Sequence, residues 1–198
     1  GGDKAKADKM VTENRVLFHR MANTLNYLDI KTVVVSCGTC YDSLADYRFE
    51  DIFPGCRIID IHEFLLEKGI KLDGVSGQQY LYHDPCHSPI KTMNATKMTS
   101  ELMGKEVVLS DRCCGESGMF AVKRPDIATQ VKFRKQEEIE KNLKQLPQGE
   151  PVKMLTSCPA CLQGLSRYTD DNQMPADYIV VEMAKHILGE NWQNEFVE

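Results

Sequence analysis

The chain has 198 residues, 42% hydrophobic and 27% charged, with a net charge of −5. That composition suits one soluble globular domain of moderate size or two small ones, and the lack of a Lys/Arg cluster interleaved with aromatics argues against nucleic-acid binding. Apolar runs such as Val33-Val34-Val35 fall far short of the ~20 residues that a membrane-spanning helix needs.

Gly1 to Lys9 is Lys/Asp-rich, unlike a signal peptide, and reads as a flexible lead or cloning remnant. Residues 10–28 follow as an amphipathic helix with Leu17, Met21, Leu25 and Leu28 on one face. Lys31-Thr-Val-Val-Val-Ser36 is a short buried strand that runs into Cys37-Gly-Thr-Cys40. Residues 57–69 form a brief strand and a helix ending near Gly69, and Leu72 to Gly77 is a Gly-rich connection. Tyr80-Leu-Tyr82 is a strand leading into His83-Asp-Pro-Cys86-His87. Residues 91–103 are helical and closed by Gly104. Glu106-Val-Val-Leu109 is a strand leading into Ser110-Asp-Arg-Cys113-Cys114-Gly115. Residues 126–144 are a long helix behind Pro125, its charged run at 132–141 a solvated face. Val152-Lys-Met-Leu155 leads into Thr156-Ser-Cys158-Pro-Ala-Cys161, and a last strand–helix pair spans Tyr178 to Leu188. Strands alternating with helices predict an α/β fold with mainly parallel sheets flanked by helices.

An internal repeat is visible. Val-Val-Val-Ser-Cys37-Gly-Thr-Cys40 matches Lys-Met-Leu-Thr-Ser-Cys158-Pro-Ala-Cys161, and the same offset of 121 pairs Leu44 with Leu165 and Tyr47 with Tyr168. Each copy continues into a strand, an acidic helix start (Glu63, Glu182) and a closing Gly (Gly69, Gly189). The second copy has a front half, residues 79–120, that the first lacks. The expected organisation is therefore a lead at 1–9, the C-terminal part of a first repeat at 10–78 and a complete second repeat at 79–198, all within a fragment of a longer protein.

Eight cysteines is a high count, and with no export signal they read as metal-binding thiolates in a reducing, cytoplasmic compartment rather than as disulfides. Four strands run into cysteine, at Cys37, Cys86, Cys113 and Cys158. In open parallel sheets, ligands collect at the carboxyl ends of the strands, so the second repeat is expected to bring Cys86, Cys113, Cys114, Cys158 and Cys161 to one rim. Soft thiolates suit zinc or iron–sulfur clusters. Ser157 is placed to N-cap the helix carrying Cys161, and a helix N-terminus lowers thiol pKa. Adjacent residues of a strand face opposite ways, so Cys113 and Cys114 share a site only through a tight turn. Gly115 permits that turn and leaves backbone N–H groups free to point at sulfur. Cys37 and Cys40 are weaker candidates, lacking a vicinal pair of their own. His83 and His87 are candidates for a hydrogen bond to sulfur or for ligation, with a plain surface or hydrogen-bonded histidine as the alternative. Cys56 reads as core, Glu116 as solvated and Asp84 as the holder of the turn before Pro85. Met119 and Met154 are expected to line the pocket.

The phrases His-Asp-Pro-Cys86-His, Cys113-Cys114-Gly115-Glu-Ser-Gly118 and Ser-Cys158-Pro-Ala-Cys161 resemble the CCG cysteine-rich domain. That family includes the B subunit of heterodisulfide reductase and the iron–sulfur subunits of glycolate, lactate and anaerobic glycerol-3-phosphate oxidation systems. The closing segment, Asp177 to Trp192, resembles the C-terminal part of large FAD-linked oxidases. The intervals differ from the family's: 26 residues between Cys86 and Cys113 is short, and 43 between Cys114 and Cys158 is long. The resemblance implies an iron–sulfur cluster, [4Fe–4S] and in some members non-cubane, held by the five cysteines, with zinc as the alternative. It also implies FAD elsewhere in the parent protein, a flavin-containing dehydrogenase domain or subunit as partner, and an acceptor protein or quinone system. The cytoplasmic placement then includes a peripheral position at the inner membrane through partners. Three functions follow as expectations: electron transfer from a flavin unit oxidising a small hydroxy acid, disulfide reduction at the cluster, or a structural zinc site.

Overall fold

The computed structural model describes residues 3–24, 29–116, 119–168 and 174–197. Leu25, Leu28, Ser117 and Gly118, singled out above, lie outside them. The fold is α/β, with two parallel sheets flanked by helices. The first sheet pairs β1 (Thr32–Val35) with β2 (Arg57–Asp60), Thr32 opposite Arg57 and Val35 opposite Asp60. The second has the order β4-β3-β5-β6, built from β3 (Gln79–His83), β4 (Val108–Leu109), β5 (Val152–Thr156) and β6 (Ala176–Tyr178). Parallel neighbours need crossover connections, which the helices supply.

Those helices are α1 (Lys4–Thr24), α2 (Gly38–Ala45), α3 (Phe49–Ile52), α4 (Ile61–Glu67), α5 (Ala95–Met103), α6 (Phe120–Lys123), α7 (Pro125–Gln145), α8 (Pro159–Leu165), α9 (Ile179–Leu188) and α10 (Trp192–Val197). Their ends follow from local chemistry. Asp60 caps α4, its carboxylate accepting from the His62 and Glu63 amides. Asn94 caps α5 by accepting from the Lys97 amide, so that helix starts at 95 rather than 91. It stops where Gly104 turns left-handed at φ 60°, against the Leu72 carbonyl, which a Cβ there would meet at 2.3 Å. No helix among the described residues is long and apolar enough to cross a membrane.

A helix, a strand running into a Cys-x-x-Cys helix, a strand and a helix follow one another in α1-β1-α2-β2-α4, where the short α3 intervenes before β2, and in α7-β5-α8-β6-α9. In the first, Phe18 of α1 packs edge-on against Phe49 at 5.3 Å, and Phe49 stacks on Tyr47 at 5.6 Å over a core with Phe53 and Cys56. Cys56 is thus a core residue. Phe18 anchors α1, while Leu17 is 54% exposed. The helix also begins earlier than the apolar pattern implies. Asp3 accepts from Lys6 and Ala7, and the Ala/Lys-rich start propagates the turn.

The larger sheet is buried on both faces, as parallel sheets are. On one lie Tyr80, Tyr82, Leu155 and Ile179 with Met98 and Leu102 of α5; on the other lie Leu81, Met154, Ile139, Leu165 and Tyr168, together with Cys114 and Cys161. Strand alternation therefore puts His83, two residues past Leu81, on the cysteine-bearing face.

The two sheets meet through specific contacts. The Tyr178 hydroxyl reaches the carbonyls of both Ser36 and Ser157, the residues preceding Cys37 and Cys158. The Glu63 carboxylate accepts from the Lys91 and Thr92 amides and the Thr92 hydroxyl at 2.7–2.9 Å. Gly38 sits so close to the His87 carbonyl that a Cβ would come within 2.0 Å of its oxygen.

Candidate metal centre

Three parallel strands, β3, β4 and β5, lead into Cys86, Cys113 and Cys158. All eight cysteines are free thiols. After β4 come Cys113 and Cys114, and the chain then turns at Gly115, φ +76°. The Gly115 amide points at the Cys113 Sγ, 3.4 Å away. After β5, Cys158 is itself the N-cap of α8, with Pro159 in its first turn. Ser157 is not the cap: its Oγ lies 3.3 Å from the Tyr82 hydroxyl. Gly164 on α8 is a site residue that sequence reading missed. A Cβ there would meet the Glu116 Cβ at 2.8 Å and the Cys114 carbonyl at 3.1 Å, so its bare surface lets α8 approach the cysteine turn. A glycine inside a helical segment was the available signal.

Cys114 and Cys161 are buried, with their sulfurs 3.4 Å apart. Two thiolates bound tetrahedrally at the usual 2.3 Å metal–sulfur distance stand about 3.8 Å apart, so this pair is already near ligation geometry. A ring nitrogen of His83 and these two sulfurs all lie within 4.8 Å of one another. The Cys161 pKa is raised by its hydrogen-bond contacts with Cys114 and Cys158 and then by burial. Its partners are correspondingly acidic. Cys114 falls to about 5, chiefly through the Cys161 hydrogen bond and against a desolvation penalty. Cys158 falls to about 6 through Cys161 and the amides of Cys161 and Ala160. Cys86 is exposed; burial of its thiol and then the proximity of Cys113 and Cys114 push its pKa up. Thiol interactions thus link Cys86 to Cys113 and Cys114, and Cys114 through Cys161 to Cys158.

The remaining candidates separate clearly. Cys40 has its pKa raised chiefly by a hydrogen bond to Cys37, and these two thiols stand outside the buried group. His87 is exposed and lies 3.9 Å from Asp42. The Asp84 carboxylate accepts from the Tyr82 hydroxyl, 3.0 Å away, in the turn before Pro85. Met154 is buried beside Cys114 and Cys161, whereas Met119 is 58% exposed. Glu116 is not solvated: its side chain is largely buried and pairs with Arg167. Nor is the charged face of α7 wholly solvated. Lys135 is fully buried, donating to the Ser110 Oγ (2.7 Å), the Glu138 carboxylate (2.8 Å) and the Ser110 carbonyl (2.9 Å).

The acidity of Cys158 has a direct test. In metal-free protein, iodoacetamide alkylation of this half-buried thiol should reach half its maximal rate near pH 6, rising above that pH as the thiolate forms and falling below it. Cys161→Ala removes the main hydrogen-bond donor and should move the profile back toward the ordinary thiol range. Mass-spectrometric mapping over pH 5–9 reads both, and a wild-type midpoint near 8.5, the unperturbed thiol value, would contradict the geometry.

A mixed set of soft thiolates and one imidazole at the carboxyl edge of a parallel sheet defines a metal- or cluster-binding α/β domain. Comparison with known proteins narrows the class. Residues 80–166 match the model of the cysteine-rich domain named CCG, and residues 166–198 match a domain of unknown function (DUF3400). Residues 80–166 belong to the CCG cysteine-rich family. The chain is 25% identical over 192 residues to an uncharacterized iron-sulfur protein of Methanocaldococcus jannaschii, covering 92% of this chain and 35% of that protein. It is 24% identical over 168 residues to an uncharacterized iron-sulfur protein of Methanococcus maripaludis, covering 80% and 32%. With the B subunit of the fumarate reductase (CoM/CoB) of Methanothermobacter marburgensis it shares 29% identity over 140 residues, covering 66% and 26%. The chain thus spans about a third or less of the length of these relatives. No solved structure matches.

Proposed function

We propose that this chain is an iron–sulfur electron-transfer module, its cluster held by Cys86, Cys113, Cys114, Cys158 and Cys161. The observation that carries this reading is the run of linked thiols around the buried Cys114–Cys161 pair, in which Cys114 and Cys158 already favour the thiolate. The naming of two relatives as iron-sulfur proteins supports it. The cluster is of the [4Fe–4S] type, non-cubane where all five cysteines bind, and would supply one-electron redox chemistry. The chain's own residues orient the sulfurs, keep water from Cys114 and Cys161, and aim the Gly115 amide at Cys113. Residues 10–78 are read as the C-terminal part of a first cysteine-rich repeat and 79–198 as a complete second one. In the parent protein the electrons come from an FAD-containing dehydrogenase domain or subunit that oxidises a small hydroxy acid or similar donor. They leave to an acceptor protein or quinone system, in the cytoplasm or at the inner face of its membrane.

One observation favours a second reading, thiol/disulfide chemistry at the same centre. A cavity of about 450 Å³, lined by Arg112, Val131, Arg134 and Glu137, opens beside Cys113. It offers a substrate access to Cys113. Anaerobic preparation with iron, sulfide and zinc analysis separates the cluster readings from a structural zinc site. Broad visible absorption with bound iron and sulfide is expected; a colourless protein holding stoichiometric zinc would overturn the proposal.

A further inference from the structure

Resting on the reading of this site as an iron–sulfur centre, we propose that His83 is also a ligand there, binding through Nε2 beside Cys114 and Cys161. Three observations converge. First, His83 is 1% exposed, and its Nε2 is a buried polar atom with no hydrogen-bond partner. Buried polar atoms in native structures are nearly always paired, so each exception calls for an explanation, an ion among them. Second, the neighbours of Nδ1 settle the tautomer. Nδ1 lies 3.3 Å from the Ser110 carbonyl and 3.4 Å from the Lys135 Nζ. The three ammonium hydrogens of Lys135 already have nearer acceptors: the Ser110 Oγ at 2.7 Å, the Glu138 carboxylate at 2.8 Å and the Ser110 carbonyl at 2.9 Å. That carbonyl has a second lone pair, and it takes the hydrogen of Nδ1. Nε2 is left bare, with its lone pair available. An imidazole held by Nδ1–H to a backbone carbonyl is a usual way of presenting Nε2 to a metal. Third, the ring stands on the cysteine-bearing face of β3, and a ring nitrogen lies within 4.8 Å of both Cys114 Sγ and Cys161 Sγ.

The ligand shell is then mixed. Its buried end carries nitrogen and two sulfurs, with Cys158 next to Cys161, while Cys86 and Cys113 stand exposed at the outer edge. Nitrogen in place of sulfur leaves less negative charge on the centre and raises its reduction potential, as histidine ligation does in Rieske centres.

The full chain, labelled with ¹⁵N-histidine, is reconstituted anaerobically with iron and sulfide, reduced and examined by pulsed EPR. Strong hyperfine coupling to one directly bonded nitrogen is expected. His83→Gln should lose it. His83→Cys should retain iron, lose the coupling and titrate at a lower potential. Apo protein is titrated in parallel with cobalt(II), whose visible bands distinguish mixed nitrogen–sulfur from all-sulfur ligation; His83→Cys should shift them toward all-sulfur. A cluster that forms with no nitrogen coupling, or cobalt bands unmoved in His83→Cys, overturns the ligand assignment and leaves the iron–sulfur reading standing. Cobalt bands that respond to His83, in protein that takes up no cluster, overturn the iron–sulfur reading and uphold the ligand. Binding of neither probe overturns both.

Discussion

Cys161→Ser is expected to weaken metal retention by more than roughly 100-fold, beyond the 10–100-fold that loss of a supporting contact costs. Cys114→Ser should do the same. The Cys161 sulfur lies 3.4 Å from Cys114 and hydrogen-bonds toward Cys158, so it touches the buried pair and the helix-end thiol at once. A serine oxygen is harder, does not ionise near neutrality and sits on a shorter bond, so it replaces neither the charge nor the reach of a thiolate. Cys37→Ser and Cys40→Ser should leave retention nearly intact, because these two thiols interact with each other and stand outside the buried group. Iron, sulfide and zinc per chain in anaerobically purified variants, with visible absorbance, measure the difference. Equal loss from both pairs would mean that one centre draws on both Cys-x-x-Cys segments. The close approach of Gly38 to the His87 carbonyl, one residue from Cys86, gives that outcome a physical route.

Much of this arrangement was legible because it rests on local patterns. Apolar runs that end in cysteine could be placed as parallel strands without knowing their partners. Gly104 announced the end of α5, and Gly115 the turn after the vicinal thiols, since both have a positive φ. What escaped depends on contacts between segments distant in sequence. Lys135 stands among charged residues on a helix and looks solvated, until Ser110 and the turn after β4 fold over it. Glu116 looks exposed beside two cysteines, until Arg167 arrives from beyond α8. Ser157 has the right offset to cap a helix, but Cys158 takes that place and Ser157 faces Tyr82. His83 differs from His87 only because strand alternation buries the first, while the second lies past the Pro85 turn. β4 has just two paired residues, too short for a periodicity to define.

Lys135→Met should lower the unfolding free energy by about 3 kcal/mol, the lower end of the range for breaking a buried ion pair from one side. The ammonium is fully buried and bonded to the Ser110 carbonyl, the Ser110 hydroxyl and Glu138. Burial moves its pKa down, and the Glu138 pair only partly restores it. Methionine fills the volume but leaves the Glu138 carboxylate without a counter-charge. The loss stays near 3 rather than 5 kcal/mol because Glu138 is partly solvated and keeps the Asp111 amide at 2.8 Å, the Arg112 amide at 3.1 Å and the Ser110 hydroxyl at 3.0 Å. Urea unfolding of the metal-free protein gives the difference from its midpoint. Lys135→Met combined with Glu138→Gln should cost less than the two changes summed, since the second removes the charge that the first leaves unpaired. The effect should also reach the metal. Ser110, Asp111 and Arg112 lead directly into Cys113 and Cys114, and α7 grips that segment again through the Arg112 guanidinium on the Arg134 carbonyl at 2.8 Å. With Lys135 gone, the turn loses its central tie to α7, and Cys114 should become open to alkylation at urea concentrations below the global midpoint. An unchanged midpoint with Cys114 still protected would show that Lys135 swings into solvent and that the turn is held by its other bonds alone.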